Sequence, residues 1–330
     1  MTKFLILTSR KRLEKYSDTA KFPADWELVF VDYGYSDEDV LREGSDADYI
    51  LVDAVCPVSS HVIDNMPNLK LIHSEGVGFN QIDTIAAHDR GIFVCNNAAV
   101  NSTAVAEHAI MLMLALLRRL AEGDHMVRSG MQIQAKSAFI IEGIHELGSC
   151  HIGLLGFGSI ARETAKRLSA FGARVSYFSR TRLSEDEEQH YHAHYLPIEA
   201  IVRECDIISI HLPVTPATTG LVDSEFLAAM KKTAFLINTA RGEIVDQGAL
   251  AAAIISGGIA GAGLDTLFPE PVMPDNPLLN LPEDKMYKVL FSPHIAGTTH
   301  EVFCKIHNNV WNNFQRVEDS KRPFNIVNDL

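Results

Sequence analysis

Short apolar runs alternate with longer segments of helical periodicity along the chain. This alternation is typical of an α/β protein with parallel sheets. A first series of predicted strands comprises Lys3–Leu7, Trp26–Val31, Tyr49–Val52, Leu69–His73 and Ile92–Cys95. A second series comprises Ile152–Leu155, Arg174–Phe178, Ile207–Leu212, Ala234–Asn238, Ala260–Leu264 and Lys288–Ser292. The pattern therefore predicts an α/β fold with two doubly wound domains.

Two long helical segments lie outside this alternation. Thr103–Leu120 is apolar on almost every side, and such a helix must be covered on every side, either by its own chain or by a second subunit. His300–Val317 is amphipathic, with Phe303 and Trp311 on its apolar face. No strand of the second series follows it. We therefore assign this last helix to the first domain, into which the second domain would be inserted.

Composition narrows the possible functions by exclusion. The 330 residues carry a net charge of −13, and an acidic surface repels the phosphates of nucleic acids. The five cysteines are scattered without CxxC spacing, which indicates reduced thiols in a reducing compartment. No segment has the pattern of a signal peptide or of a membrane span. We expect a cytoplasmic protein that binds neither nucleic acid nor membranes.

A glycine-rich turn follows the first strand of the second series. The segment from His151 to Ala161 has the pattern of a strand, then G-x-G-x-x-A, then a helix. Gly156 permits the tight turn, Gly158 lets the backbone approach a pyrophosphate, and the free N–H groups at the helix start bind it. The flanking strand and helix supply the context that this motif needs. The turn predicts a Rossmann dinucleotide-binding domain.

The end of the next strand indicates which dinucleotide binds. An NAD site usually has Asp or Glu there for the ribose 2′-hydroxyl, whereas this chain has Ser179 followed by Arg180. A hydroxyl and a guanidinium favour the 2′-phosphate of NADP, and Arg182 could share that contact. The alternative is that both arginines are ordinary surface charges. We predict NADP as the cofactor, with NAD as the second choice.

Three polar side chains follow later strands of the second series. Arg241 comes after the predicted strand that ends at Asn238, Glu270 lies between two prolines, and His294 lies in a Ser-Pro-His segment. Ligands in open α/β sheets bind beyond the carboxyl ends of the strands. We therefore expect these side chains to share one cleft with the dinucleotide.

Together with the glycine-rich turn, these fragments resemble the D-2-hydroxyacid dehydrogenase family over essentially the whole chain. Further matching fragments occur in the family's order. They are residues 72–78 with Asn80 and Asp83, residues 101–107, and residues 211–213 with Thr215 and Thr218.

The resemblance implies reduction of a small 2-oxo acid to a D-2-hydroxy acid by hydride transfer from NADPH. It implies that Arg241 binds the substrate carboxylate and polarises the ketone, that His294 is the general acid and base, and that Glu270 orients the imidazole. It also assigns substrate binding to Val77 and Gly78. These roles agree with the chemistry, because hydride transfer builds negative charge on the carbonyl oxygen and requires a proton donor and a cation there.

The last helix and the apolar helix predict the architecture and the assembly, and a homodimer also matches the family. Residues 1–101 and 300–330 would form a flavodoxin-like substrate domain, residues 102–299 the Rossmann domain, and two chains a homodimer. The expected cofactor-binding residues are Gly156, Gly158, Ser159, Ile160, Ser179, Arg180, Arg182, His211, Pro213, Thr218, Thr239, Ala240, Asp265 and Gly297.

Three alternating histidines, His190, His192 and His194, are the only hint of a metal site. On an extended strand they would share one face. They follow the position of the 2′-phosphate and lie away from the expected cleft, so we predict a solvated edge and no metal.

Three other interpretations remain. An NAD-dependent 3-phosphoglycerate dehydrogenase would need arginines for the substrate phosphate, but residues 53–60 contain neither Arg nor Lys. A formate dehydrogenase pairs its histidine with Gln, and a corepressor-like nucleotide sensor would have no catalytic role.

The family often has Pro where this chain has Ala98, and Trp within the segment Ser129–Phe139. The substrate therefore stays open among glyoxylate, hydroxypyruvate, pyruvate and larger 2-oxo acids.

Overall fold

The chain divides into two units, each built on one parallel sheet. The computed structural model describes residues 1–330. Unit 1 comprises Met1–Val100 and Thr299–Leu330, and unit 2 comprises Asn101–Thr298. In unit 1 the ring of Trp311 lies 4.3 Å from that of Phe22, and Phe303 stacks on Tyr16 at 5.0 Å. The last helix therefore packs on elements from the start of the chain.

Unit 1 has five strands and five helices. The strands are β1 (Thr2–Leu7), β2 (Trp26–Phe30), β3 (Tyr49–Val52), β4 (Leu71–Ser74) and β5 (Phe93–Cys95), in the order β2-β1-β3-β4-β5 and all parallel. The helices are α1 (Arg10–Tyr16), α2 (Asp37–Gly44), α3 (Ser60–Asp64), α4 (Thr84–Asp89) and the last helix of the chain, α13 (His300–Glu318). The order reverses at β1, so ligands are expected beyond the ends of β1 and β3.

Unit 2 has seven strands and eight helices. The strands are β6 (His151–Leu155), β7 (Arg174–Phe178), β8 (Ala193–Tyr195), β9 (Ile207–Ile210), β10 (Phe235–Asn238), β11 (Gly261–Leu264) and β12 (Val289–Phe291). The helices are α5 (Ser102–Leu117), α6 (Leu120–Arg128), α7 (Gln132–Glu142), α8 (Ser159–Ala170), α9 (Glu185–Tyr191), α10 (Ile198–Glu204), α11 (Ser224–Ala229) and α12 (Gln247–Ser256). The sheet is parallel, in the order β12-β11-β10-β9-β6-β7-β8.

Most strands of both sheets are short, nearly continuous apolar runs because helices cover both faces. In unit 2 every residue of β6, β9 and β11 is buried. A strand buried on both faces needs apolar side chains at every position instead of at alternate positions. This explains why the strands were recognisable in the sequence, and it confirms the predicted α/β fold with two parallel sheets.

The structure departs from the sequence predictions at two places. The apolar segment Thr103–Leu120 is not one helix, because Arg119 has a left-handed φ of +51° and separates α5 from α6. The edge strand β8 was not predicted. Within a single chain α5 is also not covered on every side, since the side chain of Met111 is 48% exposed.

The three alternating histidines do not lie on one strand. His190 lies in the last turn of α9, His192 is the C-cap of that helix with a left-handed φ of +49°, and His194 lies on the edge strand β8. The idea that they share a face in an extended segment is therefore wrong. Separately, none of the helices has the length and apolar character required to cross a membrane.

Acid should destabilise unit 1 through a buried histidine. His73 on β4 is fully buried, accepts from Asn313 Nδ2 at its Nε2 (3.0 Å), and burial lowers its pKa from about 6.5 to about 4. The unfolded chain therefore binds one more proton than the folded chain between these values. The free energy of unfolding should fall as the pH drops from 6.5 to 4, with His73 contributing up to about 1.4 kcal/mol per pH unit.

Denaturant titrations at pH 7, 5.5 and 4.5 measure this effect. The variant His73→Asn, which has no titrating ring, should show a shallower pH dependence than the parent chain. An identical dependence in the two proteins would mean that the imidazole of His73 does not contribute.

Candidate active site

The glycine-rich turn joins β6 to α8 in unit 2. Gly156 has a φ of +92°, and a Cβ at this position would lie 2.4 Å from the carbonyl oxygen of His211. Any side chain at residue 156 would therefore clash with the backbone at the end of β9. At Gly158, the N-cap of α8, no atom lies within 4 Å of a Cβ position. The turn thus exposes bare backbone at the start of a helix that begins with Ser159 and Ile160, which is the geometry that binds a phosphate.

Beyond β7, the predicted 2′-phosphate residues differ in their partners. The hydroxyl of Ser179 donates to the carbonyl oxygen of Thr181 at 2.6 Å. Arg180 is exposed and makes no hydrogen bond or ion pair with the protein. Arg182 is held by Glu188 through two contacts, Nε–Oε1 at 2.8 Å and Nη2–Oε2 at 3.2 Å. Arg180 is therefore the guanidinium that is free to take a ligand, whereas Arg182 is already paired.

The segment after β9 contributes three of the predicted cofactor residues. His211 Nε2 lies 3.0 Å from the hydroxyl of Ser209, and desolvation lowers the pKa of this imidazole to about 4. It is therefore neutral near pH 7. The hydroxyl of Thr218 donates to the carbonyl of Pro213 at 2.7 Å, which closes a tight turn at this edge of the sheet.

The strand β10 ends in the turn that carries Arg241. Gly242 is required there, since a Cβ would come within 2.6 Å of three backbone atoms of Leu267 and Phe268. The Arg241 side chain is exposed, and its Nη1 donates only to the carbonyl of Ala240 at 2.7 Å. The hydroxyl of Thr239 is buried and has no hydrogen-bond partner. A buried orphan hydroxyl beside the expected cofactor site is an observation that calls for a ligand.

Glu270 and His294 form a hydrogen-bonded pair. The Nδ1 atom of His294 lies 2.9 and 2.8 Å from the two carboxylate oxygens of Glu270. Both side chains are partly exposed, at 38% and 57%. Because Nδ1 is occupied, Nε2 is the nitrogen available to a substrate. A carboxylate at Nδ1 fixes the orientation of the ring.

The backbone around His294 is held by Asp265. His294 has a left-handed φ of +54°, a conformation that costs a residue with a side chain roughly 1–2 kcal/mol. The carboxylate of Asp265 accepts from the N–H groups of Ile295 and Ala296 at 3.0 and 2.9 Å. Asp265 is 2% exposed, so water cannot replace these bonds. This residue, which the resemblance assigns to the cofactor, also supports the histidine loop.

Gly297 ends the same loop against the start of α5. A Cβ there would lie 2.5 Å from the side-chain nitrogen of Asn101. The loop that carries His294 is therefore fixed at its far end by close packing, in addition to the bonds at Asp265.

Val77 and Gly78 lie in unit 1, in the loop after β4. The hydroxyl of Ser74 donates to the backbone carbonyl of Gly78 at 2.5 Å. The side-chain amide of Asn96 donates to the backbone carbonyl of Val77 at 2.8 Å. Because both carbonyls are engaged, the loop has a defined shape. Asn96 thus has a structural role in this loop that the sequence pattern did not indicate.

Arg241, Glu270 and His294 follow three adjacent strands, β10, β11 and β12. Glu270 and His294 are in direct contact, whereas Arg241 has no hydrogen bond to either. Two other polar residues near this loop were not singled out in the sequence: Ser292, within the Ser-Pro-His segment, and His108 on α5, which contacts Ser292. Ser292 was visible in the motif, but no local pattern could indicate His108.

Known proteins are similar to this chain in both sequence and fold. Residues 110–296 match the family model described as D-isomer specific 2-hydroxyacid dehydrogenase, NAD binding domain. The chain belongs to the D-isomer specific 2-hydroxyacid dehydrogenases. A glyoxylate reductase of Thermofilum pendens is 37% identical over 297 residues, which cover 90% of this chain and 86% of that protein. A glyoxylate reductase of Korarchaeum cryptofilum is 35% identical over 289 residues, or 88% and 85% of the two chains.

A solved structure supports the same family membership. The D-isomer specific 2-hydroxyacid dehydrogenase of Polaromonas sp. JS6 66, described as putative, superposes with a TM-score of 0.84 at 28% identity, covering 99% of both chains. This member of the family is thus an NAD(P)-dependent oxidoreductase that acts on the CH–OH group and interconverts 2-oxo and 2-hydroxy acids.

Proposed function

We propose that this dehydrogenase reduces small 2-oxo acids, glyoxylate among them, with NADPH, and that chiral products have the D configuration. The observation that carries the proposal is the contact between Glu270 and His294, which leaves Nε2 free. The names of the relatives, both glyoxylate reductases, support the choice of substrate.

Each catalytic side chain has a defined role in this proposal. His294 donates the proton from Nε2 to the carbonyl oxygen, and Glu270 stabilises the imidazolium and keeps the ring oriented. Arg241 binds the substrate carboxylate and polarises the ketone through a charge-assisted bond. In unit 1, Val77 and Gly78 are proposed to bind substrate through their backbone N–H groups. In the oxidation direction His294 takes the proton back.

The residues present fit a dinucleotide. The exposed backbone at Gly156 and Gly158 suits the pyrophosphate, and the orphan hydroxyl of Thr239 suits a polar group of the bound cofactor. The free guanidinium of Arg180 suits the 2′-phosphate. The cofactor supplies the hydride, and the protein supplies orientation and electrostatics. Further contacts are proposed for Ser159, Ile160, Ser179, Arg182, His211, Pro213, Thr218, Ala240, Asp265 and Gly297.

A panel of 2-oxo acids assayed with both cofactors tests the function. Glyoxylate, hydroxypyruvate, pyruvate and a branched 2-oxo acid are each offered with NADPH and with NADH, and the configuration of chiral products is determined. Turnover of glyoxylate with NADPH, and D-lactate from pyruvate if it reacts, support the proposal. Activity confined to larger 2-oxo acids would contradict the substrate assignment but leave the chemistry intact.

Changing Ser179 and Arg180 together should reverse the choice of cofactor. A charge-assisted bond contributes about 1.5–3 kcal/mol, so NADPH should exceed NADH in kcat/KM by at least about tenfold. In Ser179→Asp with Arg180→Ala the new carboxylate binds the ribose diol and repels the 2′-phosphate, which reverses the ratio. Initial rates with each cofactor measure the effect.

Arg182 provides the matched control for this prediction. Since its guanidinium is paired with Glu188, Arg182→Ala should change the NADPH/NADH ratio less than Arg180→Ala does. A parent enzyme that prefers NADH would contradict the assignment of this turn.

We also propose that two chains associate through unit 2. Met111 and Phe171 are 48% and 49% exposed, and they border an apolar groove between α5 and α8. On α6 and α7, Leu120, Ile133 and Ile141 are 62%, 68% and 85% exposed. An exposed apolar area of this extent is typical of a subunit interface.

Light scattering at micromolar concentration should give twice the mass of one chain. Met111→Glu would place a charge in the buried interface and should yield monomers, whereas Glu204→Gln at the end of α10 should not change the mass. A parent protein with the mass of a single chain would contradict the dimer.

The cysteines support a cytoplasmic location. All five thiols are free, and four of them, Cys56, Cys95, Cys150 and Cys205, are buried. A chain without disulfides is suited to a reducing compartment. Detection of the protein in the cytoplasmic fraction of the source cells, and not outside them, would agree with this.

A further inference from the structure

The loop that carries His294 is folded around one buried residue. The hydroxyl of Ser292 donates to Asp265 Oδ1 at 2.5 Å, and the N–H groups of Ile295 and Ala296 donate to Oδ1 and Oδ2. The N–H of His294 itself donates to the backbone carbonyl of Asp265 at 2.9 Å. Four hydrogen bonds therefore connect the loop to the residue that follows β11.

His108 on α5 also belongs to this network. Its Nε2 lies 2.7 Å from Ser292 Oγ and 3.5 Å from Asp265 Oδ1. The hydroxyl has a single proton, which the carboxylate needs at 2.5 Å, so Ser292 Oγ must accept from His108. His108 therefore carries a proton on Nε2. Its side chain is 11% exposed and that of Asp265 is 1% exposed, so water has little access to these bonds.

We propose that His108 is a positioning residue for His294, acting through Ser292 and Asp265. The proposal rests on the role of His294 as the proton donor. A left-handed backbone at a residue with a side chain persists only where the surroundings over-determine it. The bonds around Asp265 supply that constraint at His294, whose φ is +54°.

His108 makes no hydrogen bond to Glu270 or to the imidazole of His294, so it does not transfer protons in the reaction. Its contribution is to hold Ser292 in the rotamer that closes the loop. Without this donor the hydroxyl can turn, the loop gains alternative conformations, and Nε2 of His294 meets the carbonyl oxygen less often. Small displacements of a catalytic group reduce the rate strongly, by up to about a hundredfold.

The test compares variants of the full-length protein that remove or retain each hydrogen bond. His108→Phe removes the donor, whereas His108→Gln retains a side-chain N–H at a similar distance from the backbone. Ser292→Ala removes the hydroxyl, whereas Ser292→Thr keeps it. His190→Phe, at an exposed histidine on α9, is the control for the loss of a histidine.

Three quantities are measured: kcat and KM for glyoxylate, the Kd of NADPH from fluorescence titration, and the histidine ring signals in NMR spectra. We expect His108→Phe and Ser292→Ala to lower kcat about tenfold to a hundredfold, with an unchanged Kd for NADPH. His108→Gln and Ser292→Thr should recover most of the rate. The His294 ring signals, assigned with His294→Ala, should shift or broaden in His108→Phe and not in His190→Phe.

Other results would overturn the proposal. These are unchanged kcat and ring signals in His108→Phe, a loss of kcat that His108→Gln does not recover, or a loss that follows weaker binding of NADPH. The ring signals need no substrate. If the parent enzyme failed to reduce any 2-oxo acid, the proposed function would fail while the spectra still decided the positioning role.

Discussion

His294→Ala should lower kcat for 2-oxo acid reduction by about 10²–10⁴-fold, the contribution expected of a general acid. Alanine leaves the carbonyl oxygen without a proton donor as negative charge develops on it. The side chain is 38% exposed, so its loss should hardly change the free energy of unfolding or the affinity for the dinucleotide. Steady-state rates, together with a fluorescence titration of the cofactor, measure the two effects separately.

Two further variants define the cause of that loss. His145→Ala removes an exposed histidine of the same unit and should retain the parental rate. Glu270→Gln keeps a hydrogen-bond acceptor beside Nδ1 but removes the negative charge, so its rate should lie between those of the parent and His294→Ala. A rate for His294→Ala equal to that of the parent would exclude this histidine as the proton donor.

The second large effect concerns stability. Glu75 in unit 1 is 2% exposed, and its carboxylate accepts from the hydroxyl of Thr8 and lies 3.0 Å from both Arg12 Nη1 and His307 Nε2. Removing one member of a buried charged network leaves the others uncompensated and costs about 3–5 kcal/mol. Glu75→Ala should therefore lower the free energy of unfolding of unit 1 by about that amount.

Denaturant titration monitored by circular dichroism measures the change. The matched control is Glu43→Ala, whose carboxylate contacts Arg42 on the surface of α2 and is 47% exposed. Exposed pairs contribute little, so this variant should unfold with the parent. Equal stability of Glu75→Ala and the parent would mean that the network around Glu75 adds nothing to the fold.

Glu75 also illustrates what the sequence could not reveal. It stands directly before the loop of Val77 and Gly78, but its partners Thr8 and His307 lie far away in the chain. The same holds for His108, which reaches Ser292 from α5. Such contacts depend on how the helices pack on the sheets, and no local periodicity records this.

Features that depend only on residues adjacent in the sequence could be predicted. Buried parallel strands are nearly continuous apolar runs, so eleven of the twelve strands could be found. Gly156 was recognisable because a turn between strand and helix with positive φ requires glycine. The three-residue edge strand β8 is too short for a periodic pattern, and no glycine or proline marks the break at Arg119.

The pairing of Arg182 with Glu188 is another contact that the sequence could not reveal. The sequence placed two arginines near the 2′-phosphate position without distinguishing them. In the structure only Arg180 remains without a protein partner, since the carboxylate on α9 holds Arg182. The packing of α9 beside β7 therefore decides which guanidinium could bind a ligand.

The most direct measurement of the central claim follows the hydride itself. The enzyme is incubated with glyoxylate and NADPH that carries deuterium at the transferable position of the nicotinamide, and the product is analysed by mass spectrometry. The account predicts a 2-hydroxy acid with the deuterium on carbon 2, formed by the parent enzyme and nearly absent with His294→Ala. Consumption of NADPH without labelled 2-hydroxy acid, or no reaction with any 2-oxo acid, would contradict it.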